Sequence, residues 1–363
     1  MLNRLCLVLI LLVFVSCSEV SRGKPESIGL PGRINIIITP ELKNGPVGKI
    51  LDSLLTAELE VTPRDESLFN IKFVEPDAIN RSHKSMRNLI VAFTFSDRSA
   101  DAGKVKSLIT TASLEKLQAD TSAFVITQSD TWARGQDVMY LFSDSPEKLA
   151  EKILKQSNRL VSFFNEKEKE RLRMGIIKSS ANKALAKSIQ DKTGYSIRIP
   201  FGYQLADQQE DFLWLRQINP VDDKDIWIAR KKFTGLEEFN KDRLIRFRNE
   251  VCRKYLFEDP EKSDTYLVTE TSVPYKPVLT RTINFNGKYA VEMKGLWKTN
   301  IPSMGGPFIG YAFVDEASGF FYYIEGFVFS PSKPQREILR ELDVILSTFS
   351  FPEKKEKANK KTS

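Results

Sequence analysis

The sequence predicts a chain of two parts, an N-terminal α/β layer joined by long helices to a C-terminal antiparallel sheet packed with helices. Three observations predict it. Between residues 33 and 165, β-branched apolar runs alternate with stretches whose apolar residues recur at helical spacing, as strands interleaved with helices require. Residues 166–193 are helical in pattern and mixed in sign, which suits a solvent-exposed connector. From 194 to 351 strand-like runs are joined by tight turns, with Asn286-Gly287 the strongest hairpin signal.

In the first part, Arg33–Thr39 carries Ile34, Ile36, Ile37 and Ile38 and reads as a buried strand. Gly45-Pro46 opens a helix with Val47, Ile50, Leu51, Leu54 and Leu55 on one face, proline fitting the first turn. Further strands are predicted at Leu68–Val74, Asn88–Phe95, Ala123–Thr127 and Asp137–Phe142. Ser145-Pro146-Glu147 combines a capping hydroxyl, a first-turn proline and an acid facing the helix dipole. Leu149, Ile153, Gln156, Leu160 and Phe164 mark the buried stripe of that helix. Asn165 reads as the cap of a second one, which Gly194 ends as a left-handed stop.

In the second part, strands are expected at Tyr195–Pro200, Asp211–Ile218, Asp225–Phe233 and Thr265–Val273. A long amphipathic helix over Leu236–Tyr255 interrupts them, hairpins turn at Asn286-Gly287 and Ala317-Ser318-Gly319, and a last helix covers Pro334–Phe349. The order of strands, helix, meander and terminal helix resembles the sandwich of PsbP and Mog1 proteins, a likeness of fold that brings no function with it.

The first residues read as an export signal: Arg4 is the only charge, and Leu5–Val15 is apolar but short of the ~20 residues a membrane-spanning helix needs. Phe14-Val15-Ser16-Cys17 resembles the bacterial lipobox, with Phe14 in place of the usual leucine. That resemblance implies cleavage after residue 16 and lipidation of Cys17; Ser18, rather than an aspartate, implies the outer membrane. Several acyl chains on one cysteine make a stable anchor where one chain does not. Residues 17–32, with Pro25, Gly29, Pro31 and Gly32, read as a flexible tether, and 352–363 as a basic disordered tail.

The net charge is +7, or +6 once Arg4 leaves with the signal. No nucleic-acid-binding motif accompanies that excess, and an exported chain points instead to the membrane, another envelope protein or a glycan as partner. Cys252 is the one thiol left beyond Cys17, so no internal disulfide forms, and its helical setting places it on a buried face.

Groups able to do chemistry are scarce. His83 is the only histidine and sits among Arg81, Lys84 and Arg87; no Gly-x-Ser-x-Gly elbow occurs. One histidine and one thiol make a zinc site unexpected, and no cofactor is expected either. Asp222-Asp223-Lys224-Asp225 lacks the spacing of a calcium loop and reads as a solvated turn. Glu292 and Glu325 are the only candidates for a two-carboxylate hydrolase of cell wall or glycan. Gly295, Trp297, Met304, Gly305, Gly306, Pro307 and Phe308 form the most unusual stretch, either an apolar recognition loop or a hairpin connection whose aromatics cap the core. Trp132 is a candidate interface residue of a structural subunit.

Several stretches resemble a Bacteroidota lipoprotein family, domain of unknown function 4837. They are Gly32-Arg33-Ile34-Asn35, Trp132-Ala133, Asn165-Glu166, Gly194 through Pro200, Gly287 through Glu292, Gly295-Leu296-Trp297, Met304 through Phe308 and Gly326 through Pro331. The resemblance implies location and architecture but no activity. The expectation is a lipid-anchored envelope protein that binds or scaffolds without catalysing a reaction.

Overall fold

A computed structural model of the chain describes residues 23–352 apart from 121, 180, 260 and 261. The predicted signal peptide, Cys17 and all but the first residue of the predicted tail lie outside the described residues. The chain forms two compact units. The first takes residues up to Glu58 and Ser67–Arg171; the second takes Leu59–Glu66 and the chain from Leu172 onward.

In the first unit β1 (Arg33–Ile37) leads through α1 (Pro40–Asn44) and α2 (Pro46–Leu55) to β2 (Asn70–Val74). Then come α3 (Arg81–Lys84), β3 (Asn88–Thr94), α4 (Ala100–Lys106), α5 (Thr111–Ala119), β4 (Val125–Ser129) and β5 (Asp137–Ser143). Two helices follow, α6 (Pro146–Lys155) and α7 (Ser157–Lys178), the second passing into the other unit at Arg171/Leu172. The strands stand in the order β2-β1-β3-β5-β4, parallel except for the edge strand β4. Ile34, Ile36 and Ile38 point to the face covered by Leu51, Leu149, Ile153 and Phe164, and Ile37 to the face covered by Val105. Both faces of β1 are therefore buried, which is why its residues read as a nearly continuous apolar run, with Asn35 the one polar side chain within it.

Three sequence expectations change here. The predicted tether is bonded along its described part: Ser27 N donates to Arg134 O at 2.9 Å, Arg134 N to Pro25 O at 2.8 Å and Ile28 N to Ser85 O at 2.9 Å. The helix begun at Ser145 ends at Gln156, whose backbone leaves the helical region, and α7 starts directly after it. No helix starts at Asn165, because α7 runs straight through it and the buried stripe Leu160, Phe164, Glu168 continues past it.

The second unit begins with the end of α7 and α8 (Lys183–Thr193), closed by Gly194 at φ 80° as the sequence predicts. Its strands are β6 (Gln204–Gln209), β7 (Phe212–Ile218), β8 (Asp223–Lys232), β9 (Phe257–Asp259), β10 (Lys262–Glu270), β11 (Leu279–Phe285), β12 (Lys288–Thr299), β13 (Gly305–Asp315) and β14 (Phe320–Phe329). α9 (Lys241–Tyr255) falls between β8 and β9, and α10 (Arg336–Leu346) ends the unit. The order is β6-β7-β8-β14-β13-β12-β10-β9, antiparallel throughout, with β11 on the other stretch of β12. Asn286 and Gly287 take φ 52° and 85°, the left-handed pair that a two-residue hairpin demands. Tyr195–Pro200 is not a strand; it makes only single bridges, Ser196 to Ser350 and Pro200 to Ala181.

Helices cover both faces of this sheet. Ile189 of α8 and Leu342, Ile345 and Leu346 of α10 pack on one, over Ile226, Ile228, Tyr311 and Ile324. Leu244, Val251 and Cys252 of α9 pack on the other, over Trp227, Met293, Phe308 and Phe327. The Leu59–Glu66 segment belongs to the first of these layers: Val61 is buried in it, and the Glu66 carboxylate accepts from Gln335 N and Arg336 N at 2.8–2.9 Å. An acid is thereby set at the positive end of α10.

Candidate functional site

The sheet register decides the predicted sites. Trp297 and Phe308 are buried in β12 and β13, each opposite a glycine: Trp297 faces Gly306 and Gly295 faces Phe308. A Cβ on Gly306 would lie 2.0 Å from Val328 O, so no side chain fits there. Trp297 Nε1 donates to Val328 O at 3.3 Å. Trp297 and Phe308 thus belong to the core, as the hairpin reading of this stretch has them and the recognition-loop reading does not, and only the turn near Met304 interrupts the two strands. Trp132 packs half-buried against the Val91/Tyr140 layer of the first unit.

Glu292 and Glu325 cannot share a cleft. Glu292 pairs with Tyr311, and Tyr311 with Ile324, whereas Glu325 pairs with Gly310 and Trp227. Neighbouring positions alternate across a sheet, so the two carboxylates point to opposite faces. Glu292 is held by Arg281 and Lys294 at 3.0 Å each. The two-carboxylate hydrolase loses its pair.

Glu325 is instead the hub of a closed cluster. Arg248 on α9 donates from Nε to Oε2 and from Nη2 to Oε1, both at 2.8 Å, and from Nη1 to Thr269 Oγ1 at 3.1 Å. Trp227 Nε1 and the Tyr323 hydroxyl complete the carboxylate's partners at 3.1 and 2.8 Å. The guanidinium lies 4.1 Å from the centre of the Phe308 ring. Burial works against its charge, and the facing carboxylate more than offsets that, so its pKa is raised. Cys252, buried beside it, is pushed up to about 12 by burial and stays a thiol.

A second Arg–acid–Trp group lies at the open edge of the same face. Asp225 is buried in β8, not solvated in a turn as its sequence neighbours suggested, because it alternates with Trp227 on the covered face. Trp214 Nε1 donates to Asp225 Oδ1 at 2.9 Å, and Arg216 Nε stands 3.0 Å from the same oxygen. Arg216 lies over the Trp214 ring at 4.9 Å. Burial raises the Asp225 pKa to about 7, against the lowering by Arg216 and Trp214.

These side chains border a cleft of about 460 Å³. Gln204, Asp207, Trp214, Arg216 and Ile218 form its sheet wall; Lys254, Tyr255 and Phe257 form the other. Tyr255 is stacked on Phe212 at 4.2 Å, which fixes the aromatic shelf. Two further clefts flank β6, one at Asn182, Lys183 and Phe201 and one at Lys192, Gln208 and Arg230. Among the described residues, no group of histidine, cysteine, aspartate and glutamate side chains could hold a metal ion.

Residues 182–348 match a family model described as a domain of unknown function, DUF4837. Residues 27–177 match another, DUF8532, also a domain of unknown function. The resemblance to that family, which the sequence motifs spread from Gly32 to Pro331, is thus narrowed to residues 182–348. No curated protein matches the chain. Among solved structures, a point mutant of the protein Mog1 is similar at 7% identity, with 44% of this chain, 90% of that chain and a TM-score of 0.29. The Saccharomyces cerevisiae Ran-binding protein Mog1p gives 7%, 44%, 90% and 0.28. The human StarD13 lipid transfer and protein localization domain gives 11%, 46%, 95% and 0.22.

Sequence reasoning missed Trp214, Arg216 and Asp225 as a group. Their one sequence signal is the alternation in Asp211–Ile218, which puts Trp214 and Arg216 on one face of a strand.

Proposed function

We propose that this protein is a non-catalytic binding module of the cell envelope, held at the outer membrane by a lipid on Cys17, and that it binds its partner along the β6 edge of the second unit. The observation that carries the reading is Arg216. Its Nη1 and Nη2 make no hydrogen bond to any described residue, although the guanidinium borders the cleft between Trp214 and Tyr255. In the closed cluster each of the three guanidinium nitrogens of Arg248 donates to a protein group, so the two leftover nitrogens of Arg216 suit a ligand rather than the fold. The anchor rests on the short apolar leader and the lipobox-like Phe14-Val15-Ser16-Cys17.

Both halves are testable in the native host. Cys17→Ala moves the protein from the membrane to the soluble fraction; if it stays with membranes, the anchor is wrong. A photo-crosslinking residue at Leu205 or Ile218 gives discrete adducts in the anchored protein, and these fade in Arg216→Gln/Lys254→Gln. Adducts that ignore the double change would sink the edge as the binding surface.

A further inference from the structure

The inference rests on the β6 edge being the binding surface and names what occupies it. We propose that an acidic, extended segment of a partner protein adds to the second unit as a further strand beside β6.

Four observations carry it. β6 ends the sheet, pairing only with β7, and its outward backbone groups have no backbone partner among the described residues. A row of unpaired N–H and C=O groups is a template for another strand. Clefts lie on both faces of this edge, the one at Trp214 on the α9 face and the one at Lys192 and Gln208 on the α8 face. An added strand projects alternate side chains to opposite faces, so it would fill both.

The charges favour acids on that strand. Arg216 and Lys254 stand on one face, Lys192 on the other and Lys183 at the start of β6, and none of the three lysines is ion-paired to a described residue. Asp207 and Glu210 are the acids on the β6 side, and Asp207 already accepts from the Gln209 amide at 2.8 Å. The whole chain carries +7, which steers an acidic partner toward it.

A second copy of this chain fits less well. Self-pairing would set Lys183, Lys192 and Lys254 of one copy against those of the other.

The test uses the soluble, unlipidated chain and a fluorescein-labelled ten-residue peptide alternating glutamate with valine. Its partners are the same peptide with lysine for glutamate, and the acidic peptide N-methylated at every second residue. Fluorescence anisotropy is expected to give a Kd below about 100 µM for the acidic peptide. The lysine and N-methylated peptides bind at least about tenfold more weakly, and Lys192→Gln/Lys254→Gln, both on the surface, weakens the acidic peptide about fivefold with an unchanged melting temperature. Equal binding of the lysine peptide overturns the acidic occupant, and equal binding of the methylated peptide overturns strand addition. No peptide binding, with crosslinks still lost in Arg216→Gln/Lys254→Gln, overturns the peptide occupant while the edge remains a binding surface. Concentration-dependent dimerisation abolished by Leu205→Lys would make the occupant a second copy and overturn the proposal.

Discussion

The sheet of the second unit uses the same three residue types twice, and the two uses differ in how completely they are closed. At its centre Trp227, Glu325 and Arg248 are buried, with the carboxylate accepting four hydrogen bonds and the guanidinium stacked on Phe308. At its edge Trp214, Asp225 and Arg216 repeat the theme, yet the guanidinium keeps free donors toward a cleft. A guanidinium whose three nitrogens all reach protein groups fixes a fold; one with two nitrogens left over has something to offer a ligand. Sharing an oxygen also separates the acids: Asp225 gives Oδ1 to both Trp214 and Arg216, whereas Glu325 divides its partners between two oxygens.

That contrast can be broken by unequal losses of stability. Arg248→Met leaves Glu325 buried without its cation and should cost about 3–5 kcal/mol in urea unfolding. Adding Glu325→Gln should recover much of the loss; a single change that costs under ~1 kcal/mol would show that the centre is not closed.

Next in size is the edge acid. Because burial raises the folded pKa of Asp225 to about 7, the folded state holds a proton that the unfolded chain releases near pH 4. Its contribution is fully present below pH ~4 and declines as pH rises toward 7, by up to about 4 kcal/mol. Asp225→Asn, which keeps an oxygen for Trp214 Nε1, should flatten that slope in unfolding measured from pH 4 to 8. A slope that survives assigns the titration elsewhere.

Arg216→Gln should cost less than its central counterpart, about 1–2 kcal/mol at pH 8 and little at pH 5, where Asp225 is already protonated. Equal losses at the two pH values would argue that Arg216 acts by packing on Trp214 alone. Smallest is Lys254→Gln, expected within ~0.5 kcal/mol of the parent, since its side chain is exposed.

The fold was more legible than the site, for reasons that lie in particular residues. Ile34–Ile38 and Asn286-Gly287 announce themselves because local sequence alone sets a buried strand and a left-handed turn. β6 does not, since Gln204–Gln209 has neither alternation nor β-branched residues and becomes a strand by pairing with β7. Along the chain the glycines and aromatics of Gly295–Phe308 fit both a recognition loop and a hairpin whose aromatics cap the core. Across the register each aromatic sits in the space that the facing glycine leaves. Asp225 closes the charged run Asp222-Asp223-Lys224 and so reads as solvated, and only its alternation with Trp227 reveals the buried face. Cys252 was placed correctly on a buried helix face because helical periodicity is a local property.

The short excursion at Leu59–Glu66 has a consequence for anyone who would divide this protein. The backbone passes between the units three times, at 58/59, 66/67 and 171/172, so neither unit is one unbroken stretch of chain. A gene cut once near residue 180, where the two family matches part, would strand Val61 and Glu66 on the wrong fragment. The orphaned C-terminal piece would carry an uncapped α10 and a hole in its core. Such an incision would have to be mended by supplying residues 59–66 again, as a graft at the new N-terminus or as a peptide in trans.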